Sequence, residues 1–140
     1  MSIHLLYQKK NIIRLLNIVV MCLFTTRKVP KIAEKDIIVY KAMKRFLFLI
    51  ISPIYFSPWI PGVLKKRVLK SKTHIFNDIE YEISDGLHAF LKYSDVEIYF
   101  PELKNSIYEA VIPKGSKYYI SIDRKFIVSN KMKIIRKLKK

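Results

Sequence analysis

The chain is poor in the residues that staple, ligate or hinge a fold: its 140 positions hold one cysteine, three histidines and three glycines. Cys22 has no partner for an internal disulfide, and no neighbouring histidine marks it as a nucleophile. It reads as a small apolar filler, in a chain suited to a reducing, cytosolic setting. His4, His74 and His88 are scattered without metal-ligand spacing, so neither a metal nor any other cofactor is expected. The glycines do not supply a GxxxxGK[ST] phosphate loop. Pro113-Lys114-Gly115-Ser116 contains some of the right residue types, but it reads as a plain β-turn. Internal repeats and low-complexity tracts are absent as well.

Acidic residues are the next scarcity, 11 against 27 lysines and arginines, for a net charge of +16. Their distribution matters more than the total. Residues 1–45 carry +8, 46–64 carry none, 65–75 carry +5, 76–109 carry −6 and 110–140 carry +9. A basic shell around an acidic middle permits pairing within the chain as well as attraction to a polyanion.

Charge is missing altogether from Phe46 to Leu64, FLFLIISPIYFSPWIPGVL, which is long enough to cross a bilayer as a helix. Pro53, Pro58 and Pro61 argue against that. Each lacks an N–H and pushes Ser52, Ser57 or Ile60 out of helical geometry, which would strand carbonyls in lipid. The expectation is therefore a buried strand or helix end over Arg45 to Ile51, then an extended passage turning at Pro61-Gly62. Residues 1–20 are expected to form a separate N-terminal helical extension, with Ile12, Ile13, Leu15, Leu16, Val19 and Val20 on one face. Met21 is an alternative start, no small-residue cleavage site follows LLNIVVMCLF, and a membrane-surface role remains open only for residues 1–24.

From residue 21 the pattern is that of a single α+β domain over 21–140: a small, mostly antiparallel β domain with one or two short helices. Asp36 to Ala42 is rich in β-branched residues and reads as a strand, while the lysines of Val63 to Lys70 suit a sheet edge. Ile79 to Ile83 alternates apolar and acidic residues. Ser84-Asp85-Gly86 is expected to turn the chain so that LHAF returns as a strand. Ser94-Asp95-Val96-Glu97 has the form of a capping box opening a short helix that ends near Pro101. Strands are then expected at Ile107–Ile112, Lys117–Ile122, Phe126–Val128 and Met132–Leu138, with a turn at Asp123-Arg124-Lys125.

Several stretches, SPIYFSPWIPG, DGLHAF, AVIPKGSKYYIS and IVSNKMKI, resemble segments of a family of small uncharacterised proteins of gut-bacterial phages and their hosts. The resemblance covers about residues 21–135. It implies one folded unit and a phage-type accessory protein, and it carries no activity with it.

Two functional readings follow. In the first, the protein is a basic binding module for nucleic acid or an acidic partner, using Lys65–Lys72, Lys114–Lys125 and Lys131–Lys140. There Lys117, Tyr119, Arg124, Lys125, Lys131 and Lys133 interleave rings that stack on bases with cations that neutralise phosphates. In the second, His88 is a general base in a cleft with Tyr40 and Glu109, an order of elements loosely similar to ADP-ribosyltransferase-like enzymes. A structural histidine beside a turn is the plainer account of His88, and the binding module is the preferred reading.

Overall fold

The computed structural model describes residues 24–46, 49–52, 58–73 and 81–138. The expected helical extension over residues 1–20 lies outside them. Among the described residues the chain is mostly antiparallel sheet with one α-helix.

Alternating apolar residues build the central sheet. It contains β2 (Lys31–Ile32), β3 (Ile37–Ala42), β7 (Leu64–Lys66), β10 (Leu87–Phe90), β11 (Ile107–Ile112), β12 (Lys117–Ile120), β13 (Phe126–Ser129) and β14 (Lys131–Lys137), in the spatial order β2-β12-β13-β10-β3-β11-β14-β7. β13 and β14 stand four places apart in that order, about 19 Å in a flat sheet. Asn130 is the sole residue between them, and it bridges no more than about 7.6 Å. The sheet must therefore curl until β13, β10, β3, β11 and β14 form a ring, closed by one bent strand that serves both walls.

Hydrogen bonds fix the bend. Asn130 donates its N–H to Lys117 O (3.0 Å) and accepts from Arg67 N (2.9 Å) on its carbonyl and from Lys117 N (2.9 Å) on Oδ1. On β14 a bulge opposite Glu109 and Ala110 adds Ile135, which explains why the apolar alternation of Met132 and Ile134 breaks there.

Inside the ring lie Val39, Met43, Leu87, Ala89, Ala110, Ile112, Ile127, Met132 and Ile134. Outside, the helix α1 (Tyr93–Tyr99) and its C-cap cover Ala42, Phe90, Ile107 and Phe126 with Val96 and Phe100 respectively. Aromatic contacts join this layer, with the Phe90 and Phe126 rings 4.8 Å apart. A second patch, Tyr119 and Val128, is covered by Ile83 of a three-stranded sheet made of β1 (Phe24–Thr25), β9 (Tyr81–Asp85) and β8 (Lys70–Thr73).

The apolar stretch from Phe46 to Leu64 contributes strands where it is described. β4 (Lys44–Phe46), β5 (Leu49–Ile51) and β6 (Pro58–Trp59) form a third antiparallel sheet, which places Ile50 and Trp59 against the ring core. Two short strands thus replace the single strand or helix end expected over Arg45 to Ile51. The turn at Pro61-Gly62 forms as expected: Val63 N donates to Ile60 O, with Gly62 at φ +81°. No helix among the described residues is long and apolar enough to cross a membrane.

Two local expectations need correction. The capping box is not made: the N-cap is Lys92, two residues before Ser94, and it makes no side-chain cap hydrogen bond. Nor do β9 and β10 form a hairpin, since Gly86 kinks the chain out of the small sheet and into the ring. Gly86 has φ +148°, and a Cβ there would lie 2.5 Å from Val128 Cγ1 and 2.7 Å from Leu69 Cδ2. The Leu69 atom is the far end of a flexible, partly buried side chain, but Val128 is β-branched and 1% exposed and cannot give way. Gly86→Ala is expected to destabilise the protein by about 3 kcal/mol from overpacking and strain together. Gly62→Ala, with open space around it, should cost only about 1 kcal/mol. Chemical denaturation of the two variants side by side checks the difference.

Candidate functional site

Alternation along β3 and β10 decides where the proposed catalytic trio lies. Tyr40 is in register with both Phe90 and Glu109, so Tyr40 and Glu109 share one face of the sheet. The Tyr40 ring packs edge-on against Tyr93 at 6.0 Å, and the Glu109 carboxylate accepts a 2.8 Å hydrogen bond from Arg136 Nε. His88 lies two residues from Phe90 and is 6% exposed. Its carbonyl accepts a hydrogen bond from Nζ of Lys41, which is also buried and lies 4.9 Å from the Trp59 ring centre.

Burial pushes the His88 imidazole down to about 3, and the Lys41 charge adds to the shift. A backbone hydrogen bond at Gly86 and the Asp85 carboxylate oppose it, while Arg67 reinforces it. The ring is therefore neutral and walled in at ordinary pH.

Basic residues gather elsewhere, around Pro30 and the edge strand β2. β2 pairs with β12 (Lys117↔Ile32, Tyr118↔Lys31), and residues 33–36 clasp the turn at residues 113–116 that precedes β12. In that clasp Ala33 N donates to Ser116 O, Gly115 N to Ala33 O and Lys114 N to Asp36 Oδ1, each at 2.8 Å. Three adjoining clefts result. The first, about 530 Å³, has Lys66, Arg67, Lys117 and Lys131 at its sides and Pro30, Val68, Leu69 and Tyr119 as its apolar lining. The second, about 930 Å³, shares Pro30 and is lined by Arg27, Lys31, Lys35, Lys114 and Glu34, among others. The third, about 160 Å³, shares Arg27 and Lys31 with the second and adds Arg124. His88, Tyr40 and Glu109 line none of the three.

The first cleft sits on the Asn130 bend, and the bend explains its charge. Lys131 of β14 and Lys66 of β7 are directly opposed in the sheet, an arrangement that costs stability between like charges. Arg67 is ion-paired with Asp85 at the same end. Close by, Lys65 donates to Pro58 O and lies over the Trp59 ring at 4.6 Å. Its pKa is lowered by partial burial and then by the Arg67 charge.

Of the residues expected to bind nucleic acid, Lys117, Tyr119 and Lys131 come together in the first cleft and Arg124 lies in the third. Tyr119 is 4% exposed, with its hydroxyl donating to Lys28 O, so it forms a wall and does not project as a ring. Lys125 reaches instead over the Tyr99 ring at 5.7 Å, and Lys133 lies half-buried between Val111 and Leu64. Sequence reasoning missed Arg27, Lys31 and Lys35. The cluster of cations on both sides of Pro30 was the signal available for them. Comparison of the chain with family models, curated proteins and solved structures gives no match.

The His88 setting has a pH consequence. A folded-state pKa near 3 lies below the unfolded value of 6.5, so the unfolded chain binds the extra proton between those limits. The contribution is complete above pH 6.5 and is lost as pH falls toward 3, with a slope approaching about 1.4 kcal/mol per pH unit. His88→Gln is expected to lack that component. Denaturation midpoints of the two proteins across pH 4 to 7.5, compared as a difference, check it.

Proposed function

We propose that the protein is a non-enzymatic binding module for nucleic acid, held mainly through phosphate contacts along the clefts around β2. It fits the phage-type accessory role that the resemblance implies. The observation that carries the reading is the convergence of cations from Arg27, Lys31, Lys35, Lys66, Lys114, Lys117, Arg124 and Lys131 on three adjoining concavities, with Glu34 as the carboxylate in their described lining. Concentrated positive potential of this kind releases counterions from a polyanion and draws it in from a distance. The enzyme reading draws no support from a buried, neutral His88.

Arg124 adds a further argument. It is the non-glycine residue at positive φ, +61°, among the described residues. The conformation disfavours a side chain by about 1 kcal/mol or more, yet the position holds an exposed cation at the lip of the third cleft.

The test is fluorescence anisotropy with a labelled oligonucleotide over a salt series. Affinity is expected to fall steeply with salt. Each phosphate contact removed by Lys31→Gln, Lys114→Gln or Lys117→Gln should shallow the log–log slope by about 0.7 for a single strand, while His88→Gln leaves binding unchanged. Failure to bind oligonucleotides at low salt overturns the proposal, and retention of an acidic polypeptide in their place redirects it to a protein partner. Arg124→Gly should weaken binding while raising stability by up to about 1 kcal/mol, measured by denaturation of the same samples.

A further inference from the structure

The first cleft differs from its neighbours in having cations at the sides and an apolar lining of Pro30, Val68, Leu69 and Tyr119. Phosphates have no use for such a lining, but the face of a base or a sugar does. We infer that this cleft at the Asn130 bend takes one unpaired nucleotide, its base against Val68 and Leu69 and its phosphate between Lys66, Lys117 and Lys131, so that the protein prefers single strands to duplex. The inference rests on the nucleic-acid reading above and names the form of nucleic acid.

Three features support it. The volume, about 530 Å³, falls in the range of small-molecule pockets, roughly 300–1,000 Å³. Lys66 and Lys131 are directly opposed in the sheet, and a phosphate between them turns a repulsion into two attractions. Finally, the site is concave. A duplex presents phosphates on its outside and keeps its bases stacked within, so reading it requires a protruding helix or ribbon, whereas an unpaired base is able to enter a hollow. Val68 is 69% exposed on the linker between β7 and β8, an apolar side chain offered to solvent at the mouth of a basic site.

The experiment compares the full-length protein with four labelled probes of matched length: a thymidine oligomer, its abasic counterpart, a duplex and heparin. The thymidine oligomer is expected to bind about tenfold more tightly than the abasic strand, and more tightly than the duplex at equal phosphate. Val68→Ser, a change at an exposed position, should lower affinity for the thymidine oligomer on the order of tenfold and leave heparin binding unaltered. Equal affinity for thymidine and abasic strands, or tighter binding of the duplex, overturns the nucleotide site while leaving the phosphate-binding module standing. A Val68→Ser loss shared equally by heparin overturns the site in the same way. If none of the four probes binds at low salt, both readings fall together.

Discussion

One bent strand holds the molecule together. β13 and β14 are two halves of a single run, and the turn of direction at Asn130 lets it pair with β12 and β10 on one wall and with β11 and β7 on the other. Without that bend the ring has no closure, and Ile127, Met132 and Ile134 would not face a common interior. Asn130 secures it with three hydrogen bonds, two to the start of β12 and one to the residue after β7. The side-chain amide does the work of a further peptide group, satisfying the Lys117 N–H where the regular ladder is interrupted.

That constraint separates what was legible in the sequence from what was not. Alternation is local, so the strands Ile107–Ile112, Phe126–Ser129 and the run from Lys131 could be read from side-chain periodicity alone. Pairing is not local. Nothing in Asp36–Ala42 says that it will lie between β10 and β11, and nothing in SDGLHAF distinguishes a reversal from a kink into a second sheet, because glycine serves both. The capping box failed for a related reason: Tyr93 packs edge-on against Tyr40, drawing the helix start back past Ser94. Tertiary contact outweighed a local cap contributing about 1 kcal/mol.

The candidate site was half legible for the same reason. Lys117, Tyr119 and Lys131 are separated by short intervals and remain together through the β12–β13 hairpin and the bend. Lys66 and Arg67, within the basic run Lys65–Lys72 expected to contribute, come from about 50 to 65 positions away, and nothing in the sequence hints at the pairing of β7 with β14 that brings them in. The acidic middle, meanwhile, supplies partners rather than a field of its own: Asp85 takes Arg67 and Glu109 takes Arg136. Such exposed pairs contribute little to stability. The Glu109–Arg136 pair neutralises charge away from the clefts, whereas Asp85 offsets Arg67 at the side of the first and leaves its three lysines uncompensated by that carboxylate.

Lysines on sheet edges have a second common use, the prevention of edge-to-edge association, and β2 and β7 are the two edges of the central sheet. That role accounts for Lys31 and Lys65, whose positions on edge strands are sufficient for it. It does not account for Lys117 and Lys131, which stand on interior strands and converge on Lys66 across the bend. Nor does it account for Arg124, held in a backbone conformation that an asparagine or glycine would adopt more readily. Edge protection asks only that charges repel another strand, and scattered lysines meet that need at lower cost. The three ammonium groups around one hollow repel one another, and an anion of the kind proposed would offset that repulsion.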